Sequence, residues 1–293
     1  MTRILEYFIE NTDDEQTIER FLRKNQYQSK IISLLKRTEN GITVNGVLAF
    51  TTHKLKIGET LLIKILDEKP SENIVPRDIF VDIVFEDDDI LVINKQAFVP
   101  VHPSQGHFED SLANGLSKYF LGKDFTFRCI NRLDRQTSGL LIVAKNKLSA
   151  SILSNMVANN EIKREYLAIC KGDISPDFGR INASIARVFD STIERVVDFE
   201  RGQTAITNYK KIQFKNNHSL ISLNLETGRT HQIRVHLKHI NFPLIGDFLY
   251  NPDCSMIERQ ALHSHKLSFL HPITKNNMTF TQELPNDMAK IFT

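Results

Sequence analysis

Apolar residues recur at helix and strand spacings near the N-terminus and predict a small folded unit there. Residues 18–22 carry apolar side chains at helical spacing, and an apolar stripe over residues 31–35 continues this pattern. Residues 41–46 then resemble a strand that ends in Asn-Gly, the strongest short signal for a hairpin. A further strand is predicted over residues 60–65, so the unit combines two helices with strands.

A polar stretch after this unit predicts a domain boundary. Residues 67–72 are polar, and Pro76 closes the stretch. We therefore predict an N-terminal extension over residues 1–16, a small unit over 17–66, a linker over 67–78 and a larger domain over 79–293. A chain of 293 residues is about the right length for two domains.

The larger domain mixes strand and helix patterns without a regular alternation. Apolar runs at residues 90–93, 140–144, 166–169 and 219–225 predict strands, and residues 148–157 predict an amphipathic helix. Because strands and helices do not alternate regularly, the pattern favours an α+β fold with a mixed, largely antiparallel sheet over a doubly wound parallel sheet.

Composition limits the class of protein. Hydrophobic residues make up 41% of the chain, but no run of eighteen apolar residues could span a membrane. Acidic residues follow the first residues at once, which is unlike a signal peptide. The three cysteines are odd in number and widely spaced, as expected for reduced thiols. We expect a cytoplasmic protein with no membrane partner.

The net charge of +2 conceals a segregation of charges along the chain. Acidic residues crowd residues 10–19 and 86–89. Basic residues crowd four segments, 20–37, 128–135, 145–171 and 229–238. Such segregation can build a positive face for a polyanion, although charges scattered over a solvated surface would give the same sequence pattern.

Residues 131–145 hold the most informative window for chemistry. The single carboxylate, Asp134, lies between Arg132 and Arg135, and a Thr-Ser-Gly turn then leads into an apolar strand. Neighbouring cations keep a carboxylate ionised, and a position just before a buried strand holds it on a rigid scaffold. The alternative for an isolated Arg-x-Asp-Arg is a surface salt bridge, which is common and weak.

Two further windows carry candidate residues. On a helix that starts near Thr230, with Thr230 as its N-cap, His231, Arg234 and Lys238 would share a cationic face. Such a face at a helix N-terminus attracts phosphate or carboxylate, but a solvated polar face fits equally well. Tyr166 precedes an apolar strand and is either a core residue or a residue that stacks on a base.

These three windows, in this order, resemble the successive motifs of the RluA-type RNA pseudouridine synthases. Segments similar to the family's other motifs are present at residues 86–95, 101–103, 243–250 and 261–263, so the resemblance spans about residues 80–275. The resemblance implies the pseudouridine synthase fold. The elements over 17–65 resemble the αL-type RNA-binding module of a ribosomal protein and many RNA-modifying enzymes.

Three positions depart from the family pattern. Asn131 stands where the family usually has histidine, and Gln96 and Phe98 replace a proline and a glycine. None of these positions falls in the Arg132-Leu133-Asp134 triplet. They therefore bear on substrate detail more than on activity.

The resemblance assigns roles to four residues. Asp134 is the essential carboxylate, which either attacks the sugar or steers a proton. Tyr166 stacks on the base and moves a proton, and Arg234 pairs with the aspartate. Arg132 fills the space that a flipped-out uridine leaves. We expect further RNA contacts from other basic residues, namely Arg135, Lys163, Arg229, His231, Lys30, Lys36 and Arg37.

The implied reaction is the isomerisation of uridine to pseudouridine in RNA, with ribosomal RNA as the expected substrate and transfer RNA as the alternative. The reaction rearranges atoms, and the sequence has no phosphate loop, dinucleotide fingerprint or zinc-ligand cluster. We therefore expect no cofactor and no metal. We also expect a monomeric protein.

Two other functions stay open at the level of sequence. The first is a non-catalytic RNA-binding or ribosome-assembly factor with the same fold, against which the joint presence of Asp134, Tyr166 and Arg234 argues. The second is a glycosidase that uses carboxylates. It would need a second placed acid, and none accompanies the motifs.

Overall fold

The computed structural model describes residues 2–66 and 74–292, which form two main sheets flanked by short helices. The six helices are α1 (Ile18–Lys24), α2 (Ser29–Leu35), α3 (Leu112–Tyr119), α4 (Lys147–Ala158), α5 (Gln232–His239) and α6 (Asn286–Ala289). The first strands are β1 (Thr2–Phe8), β2 (Ile42–Val44), β3 (Val47–Leu48), β4 (Thr60–Leu66), β5 (Ile83–Glu86), β6 (Ile90–Lys95) and β7 (Ser138–Ala144). The others are β8 (Lys163–Lys171), β9 (Phe178–Asn182), β10 (Ile185–Arg187), β11 (Arg195–Val197), β12 (Ile206–Lys215), β13 (His218–Leu225), β14 (Leu262–Leu270) and β15 (Asn277–Thr281).

The N-terminal sheet has the strand order β1-β4-β2-β3 and is antiparallel throughout. Asn45 and Gly46 both have positive φ, 48° and 79°, as the predicted tight hairpin turn requires. The segment expected to be an extension contributes β1, which pairs with β4 along its whole length. Only Leu5 of β1 is buried, so the backbone pairing, and not an apolar pattern, fixes this strand.

The main sheet has nine strands in the order β5-β6-β7-β14-β8-β13-β12-β9, with β15 beside β14. The pairings are antiparallel except for that of β7 with β14. The predicted α+β fold with a mixed, largely antiparallel sheet is therefore confirmed. Two short strands, β10 and β11, form a separate hairpin.

One apolar cluster joins the two sheets. Leu61 and Ile63 of β4 belong to the same buried cluster as Ile142 of β7 and Leu153 of α4. At the boundary, the guanidinium of Arg3 donates two hydrogen bonds to the carboxylate of Asp89, of 2.9 and 3.1 Å. The N-terminal unit is therefore packed against the larger domain.

One glycine fixes the strand that leads away from the aspartate window. Gly139 has φ 105°, and a Cβ placed there would lie 2.3 Å from the carbonyl oxygen of Ser264 on β14. Only glycine allows this close parallel approach of β7 to β14.

Within the predicted linker, residues 67–73 lie outside the described residues, and residues 74–78 form neither helix nor strand. Among the described residues, no helix is long and apolar enough to cross a membrane.

Candidate active site

The aspartate window forms a loop that is held to the sheet by buried polar side chains. Asn131 accepts a hydrogen bond from the backbone N–H of Ile142 at 2.8 Å, so the residue that departs from the family pattern anchors the loop to β7. The buried Lys95 donates to the carbonyl oxygen of Arg135 at 3.0 Å and to two further carbonyls. Burial lowers the pKa of Lys95 to about 7. The loop is thereby fixed on both sides of Asp134.

Arg234 on α5 joins two carboxylates. Its Nε and Nη2 donate to the two oxygens of the buried Asp247, each at 2.7 Å. Its Nη1 donates to Oδ2 of Asp134 at 3.0 Å. Burial alone would lower the pKa of Arg234, but the hydrogen bonds and charges of Asp247 and Asp134 raise it above its usual value. Arg234 is therefore a permanent cation in a fixed position.

The contacts of Asp134 fall on one of its oxygens. Oδ2 also accepts from Nε2 of Gln260 at 3.3 Å and lies 3.8 Å from Nε2 of His231. Among the described residues, Oδ1 has no hydrogen-bond partner, and 30% of the side chain is exposed. Asp134 therefore offers a free oxygen while its other oxygen is held in place.

The neighbours of Asp134 are held in turn. Gln260 also donates to Oγ1 of Thr137 at 2.8 Å. His231 shares a hydrogen bond of 2.9 Å with the hydroxyl of Tyr250. Burial lowers the pKa of His231, which favours a neutral imidazole at neutral pH. Burial also raises the pKa of Tyr166, so its hydroxyl keeps its proton.

A cavity of about 580 Å³ opens beside Asp134. Its wall includes the aspartate loop, β8, the loop before α5 and the start of α5. This volume falls in the range of small-molecule sites, which is roughly 300–1,000 Å³. The structure brings six of the predicted residues to this wall, namely Asp134, Tyr166, Arg234, Arg132, Arg229 and His231.

The other predicted residues do not line the cavity. Arg135 and Lys163 are exposed, and each makes a hydrogen bond elsewhere, to His107 at 3.3 Å and to the carbonyl of Asn160 at 2.8 Å. In the N-terminal unit, Lys30, Lys36 and Arg37 are exposed. Lys36 lies 3.6 Å from Glu19, and Arg37 donates to the carbonyl of Ser33 at 3.1 Å.

Helix α5, which was predicted to start near Thr230, begins later than predicted. Thr230 is not its N-cap, because α5 starts at Gln232 and His231 occupies the N-cap with φ 56°. The side-chain oxygen of Gln232 accepts from the backbone N–H of Arg229 at 3.0 Å, which holds the preceding turn. His231, Arg234 and Lys238 do share one side, because Arg234 and Lys238 lie 4.9 and 5.4 Å from the centroid of the Tyr250 ring and His231 shares a hydrogen bond with the Tyr250 hydroxyl. This side is largely covered, since Arg234 is 2% exposed, whereas Lys238 is exposed.

Sequence reasoning missed four residues of the site. Asp247 accepts hydrogen bonds from Arg234, and Gln260 donates one to Asp134. Lys95 holds the aspartate loop, and Arg164 lines the cavity. Asp247 and Lys95 fall in segments that matched family motifs, but nothing in those motifs identified their partners. Gln260 and Arg164 have no pattern in the sequence that separates them from other polar residues.

One group of described residues has the spacing of metal ligands. The ligand atoms of Asp87, Asp89 and His271 lie within 4.8 Å of one another. However, Asp89 already accepts from Arg3 and from Nδ2 of Asn146 at 2.8 Å. The group is better explained as an ion-pair cluster between the two sheets than as a metal site.

Known proteins resemble this chain in sequence and in fold. The model of the RNA pseudouridylate synthase family matches residues 89–239. An uncharacterised RNA pseudouridine synthase of Bacillus subtilis, YjbO, is 38% identical over 94% of this chain and 98% of its own length. Ribosomal large subunit pseudouridine synthase D of Zymomonas mobilis is 37% identical over 82% of this chain and 80% of its own. Among solved structures, human RNA pseudouridylate synthase domain containing 1 has a TM-score of 0.59 and 26% identity, and covers 71% of this chain and 84% of that one.

Proposed function

The chain belongs to the RNA pseudouridylate synthase family, and we propose that it isomerises uridine in ribosomal RNA with Asp134 as the reacting carboxylate. One observation carries this proposal. Oδ2 of Asp134 is held by Arg234 and Gln260, whereas Oδ1 has no hydrogen-bond partner among the described residues, and Asp134 lines the cavity. A carboxylate that is fixed by one oxygen and free at the other suits a reaction at a bound sugar.

The reaction breaks the bond from the sugar C1′ to N1 of uracil and forms a bond from C1′ to C5. N1 gains a proton and C5 loses one, so the atoms of substrate and product are the same. In one route Oδ1 attacks C1′ as the bond to N1 breaks, and C5 of the turned uracil then displaces the carboxylate from C1′. In the other route Oδ1 removes the C2′ proton as the bond to N1 breaks, and the proton returns to C2′ when C5 bonds to C1′ of the glycal-like intermediate. Either route uses Oδ1 of Asp134, while the fixed cation of Arg234 holds Oδ2 in place.

Two further residues serve the bound nucleoside in this proposal. The buried ring of Tyr166 stacks on the uracil, and its protonated hydroxyl is available to exchange a proton during the reaction. Arg132 is exposed at the cavity mouth and occupies the space that the flipped-out base leaves in the RNA.

A glycosidase is a poorer account of the same cavity. It needs a second carboxyl group that can donate a proton. Asp247 is buried and bound on both oxygens by Arg234. Hydrogen bonds from Arg180 and Asn208 lower the pKa of Glu226 to about 2, so this group is ionised at neutral pH. Neither carboxyl group is suited to the role of general acid.

The choice of RNA rests on the relatives and on the N-terminal unit. The relative from Zymomonas mobilis is named as acting on the ribosomal large subunit. Exposed basic residues of the N-terminal unit, Lys30, Lys36 and Arg37, offer phosphate contacts. We propose ribosomal RNA over transfer RNA, with the protein acting in the cytoplasm as a monomer and without a cofactor.

Pseudouridine mapping of total RNA tests this substrate. RNA from cells that carry the gene is compared with RNA from cells that lack it, and from cells complemented with the wild type or with Asp134→Asn. We expect one or a few sites in large-subunit ribosomal RNA to lose pseudouridine, with rescue by the wild type alone. Loss of sites only in transfer RNA would contradict the substrate, and rescue by the Asn variant would contradict the role of Asp134.

A further inference from the structure

Arg164 is a buried cation at the cavity wall. It is the second residue of β8, and its side chain lies on the same face as that of Tyr166, two positions along the strand. The residue is only 8% exposed, and its Nε is buried without a hydrogen-bond partner. Within residues 2–66 and 74–292, no acidic group forms an ion pair with it.

The acidic groups of the cavity wall are already neutralised by other arginines. Asp134 is bound by Arg234, and Glu226 accepts two hydrogen bonds from Arg180, of 3.0 and 3.1 Å. A buried guanidinium without an anion is costly, because it has lost water and gained no partner. The charge of Arg164 is therefore left for a ligand that enters the cavity.

The space beside Arg164 is kept open by a glycine. A Cβ added at Gly228 would lie 3.1 Å from Nη1 of Arg164. A side chain at this position would therefore crowd the guanidinium, whereas the glycine leaves it accessible from the cavity. An arginine fork presents two parallel N–H groups, the geometry that binds a phosphate through two oxygens.

An RNA substrate supplies one class of anion. Its uracil is neutral, and its negative charges are the phosphates on either side of each nucleoside. We propose that Arg164 binds a phosphate that flanks the target uridine and so positions the nucleotide against Tyr166 and Asp134. This inference rests on the proposed function and makes Arg164 a positioning residue.

Binding and kinetics with a modified RNA test this contact. The RNA carries a neutral methylphosphonate at the 5′ or the 3′ phosphate of the target uridine. We expect one of these changes to raise the Kd and lower kcat/KM of the wild type by about tenfold, the loss typical of one charge-assisted hydrogen-bonding contact. Arg164→Met should show a similar loss on ordinary RNA and less than about a twofold further loss on the modified RNA.

Two other variants sharpen the result. Arg164→Lys keeps the charge but not the fork, so it should recover only part of the affinity. The neighbouring Lys163 is exposed, and Lys163→Met should keep the full methylphosphonate penalty because its side chain does not line the cavity. Equal penalties in the wild type, Arg164→Met and Lys163→Met would overturn the proposal.

Stability separates this role from a structural one. Removing a buried charge that has no partner should leave the midpoint of urea unfolding unchanged or raise it. A lower midpoint in Arg164→Met, with the methylphosphonate penalty intact, would make Arg164 a structural residue and contradict the inference. If the wild type binds the RNA but forms no pseudouridine, the proposed function fails, while the Kd values still decide the phosphate contact.

Discussion

Two arginines at the cavity differ in burial and in their bonds. Arg234 is 2% exposed and gives three hydrogen bonds to Asp247 and Asp134, whereas Arg132 is exposed and has no hydrogen bond or ion pair with the described residues. Both were expected to contact the site, but the surroundings suit them to different tasks. Arg234 is built to hold a carboxylate, and Arg132 is free to meet the RNA.

We expect Arg234→Lys to slow the chemical step without weakening RNA binding. Lysine keeps the charge but cannot bond to Asp247 and Asp134 together, so Oδ2 of Asp134 loses its fixed donor. The single-turnover rate should fall by about 10²-fold, as after the loss of one oriented donor, while the Kd changes by less than about threefold. A large rise in Kd with an unchanged rate would contradict this assignment.

Arg132→Met should slow base flipping instead. Its rate defect should be large on RNA with a paired target uridine and should shrink on RNA in which that uridine is already unpaired. Single-turnover rates on the two RNAs measure the difference, and Arg234→Lys, which should show no such rescue, is the control. The same defect on both RNAs would leave Arg132 as a nonspecific phosphate contact.

The sequence predicted the reacting groups better than it predicted the groups that hold them. Asp134 and Arg234 were found because each lies in a motif that is continuous in sequence. Gln260 was missed because tertiary packing brings it to Asp134 from 126 positions away in the chain. Arg164 lies close to Tyr166 in the sequence, but no local pattern separates it from the other polar residues there. Such contacts depend on tertiary packing.

At the scale of elements, helix α2 of the N-terminal unit presents basic residues that do not line the cavity. Lys30, Lys36 and Arg37 lie in or just after α2 and are exposed. We expect the triple Gln variant to bind RNA more weakly, and the slope of log Kd against log salt to decrease by up to about 2, if each residue contacts one phosphate. The single-turnover rate at saturating protein should not change.

A variant with the same loss of charge provides the control. Lys118, Lys123 and Lys210 are exposed on the larger domain, and the matched triple Gln variant should leave the salt slope closer to that of the wild type. Equal slopes for both triple variants would mean that net charge, and not the basic residues at α2, sets the affinity.

Prediction of elements succeeded where a strand is a continuous apolar run and failed where backbone pairing alone defines the element. β7 is buried at every position, and its apolar run was recognised. β1 buries only Leu5, so its sequence carries no strand signal, and pairing with β4 supplies it instead. The start of α5 was misplaced because the side chain of Gln232, and not that of Thr230, bonds the preceding turn.

For the molecule as a whole, the buried His263 links the stability of the fold to pH. Burial lowers the pKa of His263 to about 4, and its Nδ1 shares a hydrogen bond of 2.9 Å with Ser138. The unfolded chain binds this proton near pH 6.5, whereas the folded protein does not. The contribution of neutral His263 to the free energy of unfolding is therefore complete above pH 6.5 and is lost as the pH falls towards 4.

We expect the free energy of unfolding to fall by about 3 kcal/mol from His263 across this window, since each pKa unit is worth about 1.4 kcal/mol. His263→Asn should lower stability at pH 7 but flatten its decline between pH 6.5 and 4. Urea unfolding at several pH values measures both slopes. Parallel curves for the two proteins would show that the pKa of His263 is the same in the folded and unfolded states, which would contradict the expected shift.

The most direct test of the account is the rate of pseudouridine formation by Asp134→Asn on the RNA identified by mapping. The substitution removes charge but little volume, so the variant should fold and bind the RNA with a Kd within about threefold of that of the wild type. Its single-turnover rate should fall by 10⁴-fold or more, on the order seen when a reacting group is removed. Formation of pseudouridine at a rate comparable to that of the wild type would contradict the central role of Asp134.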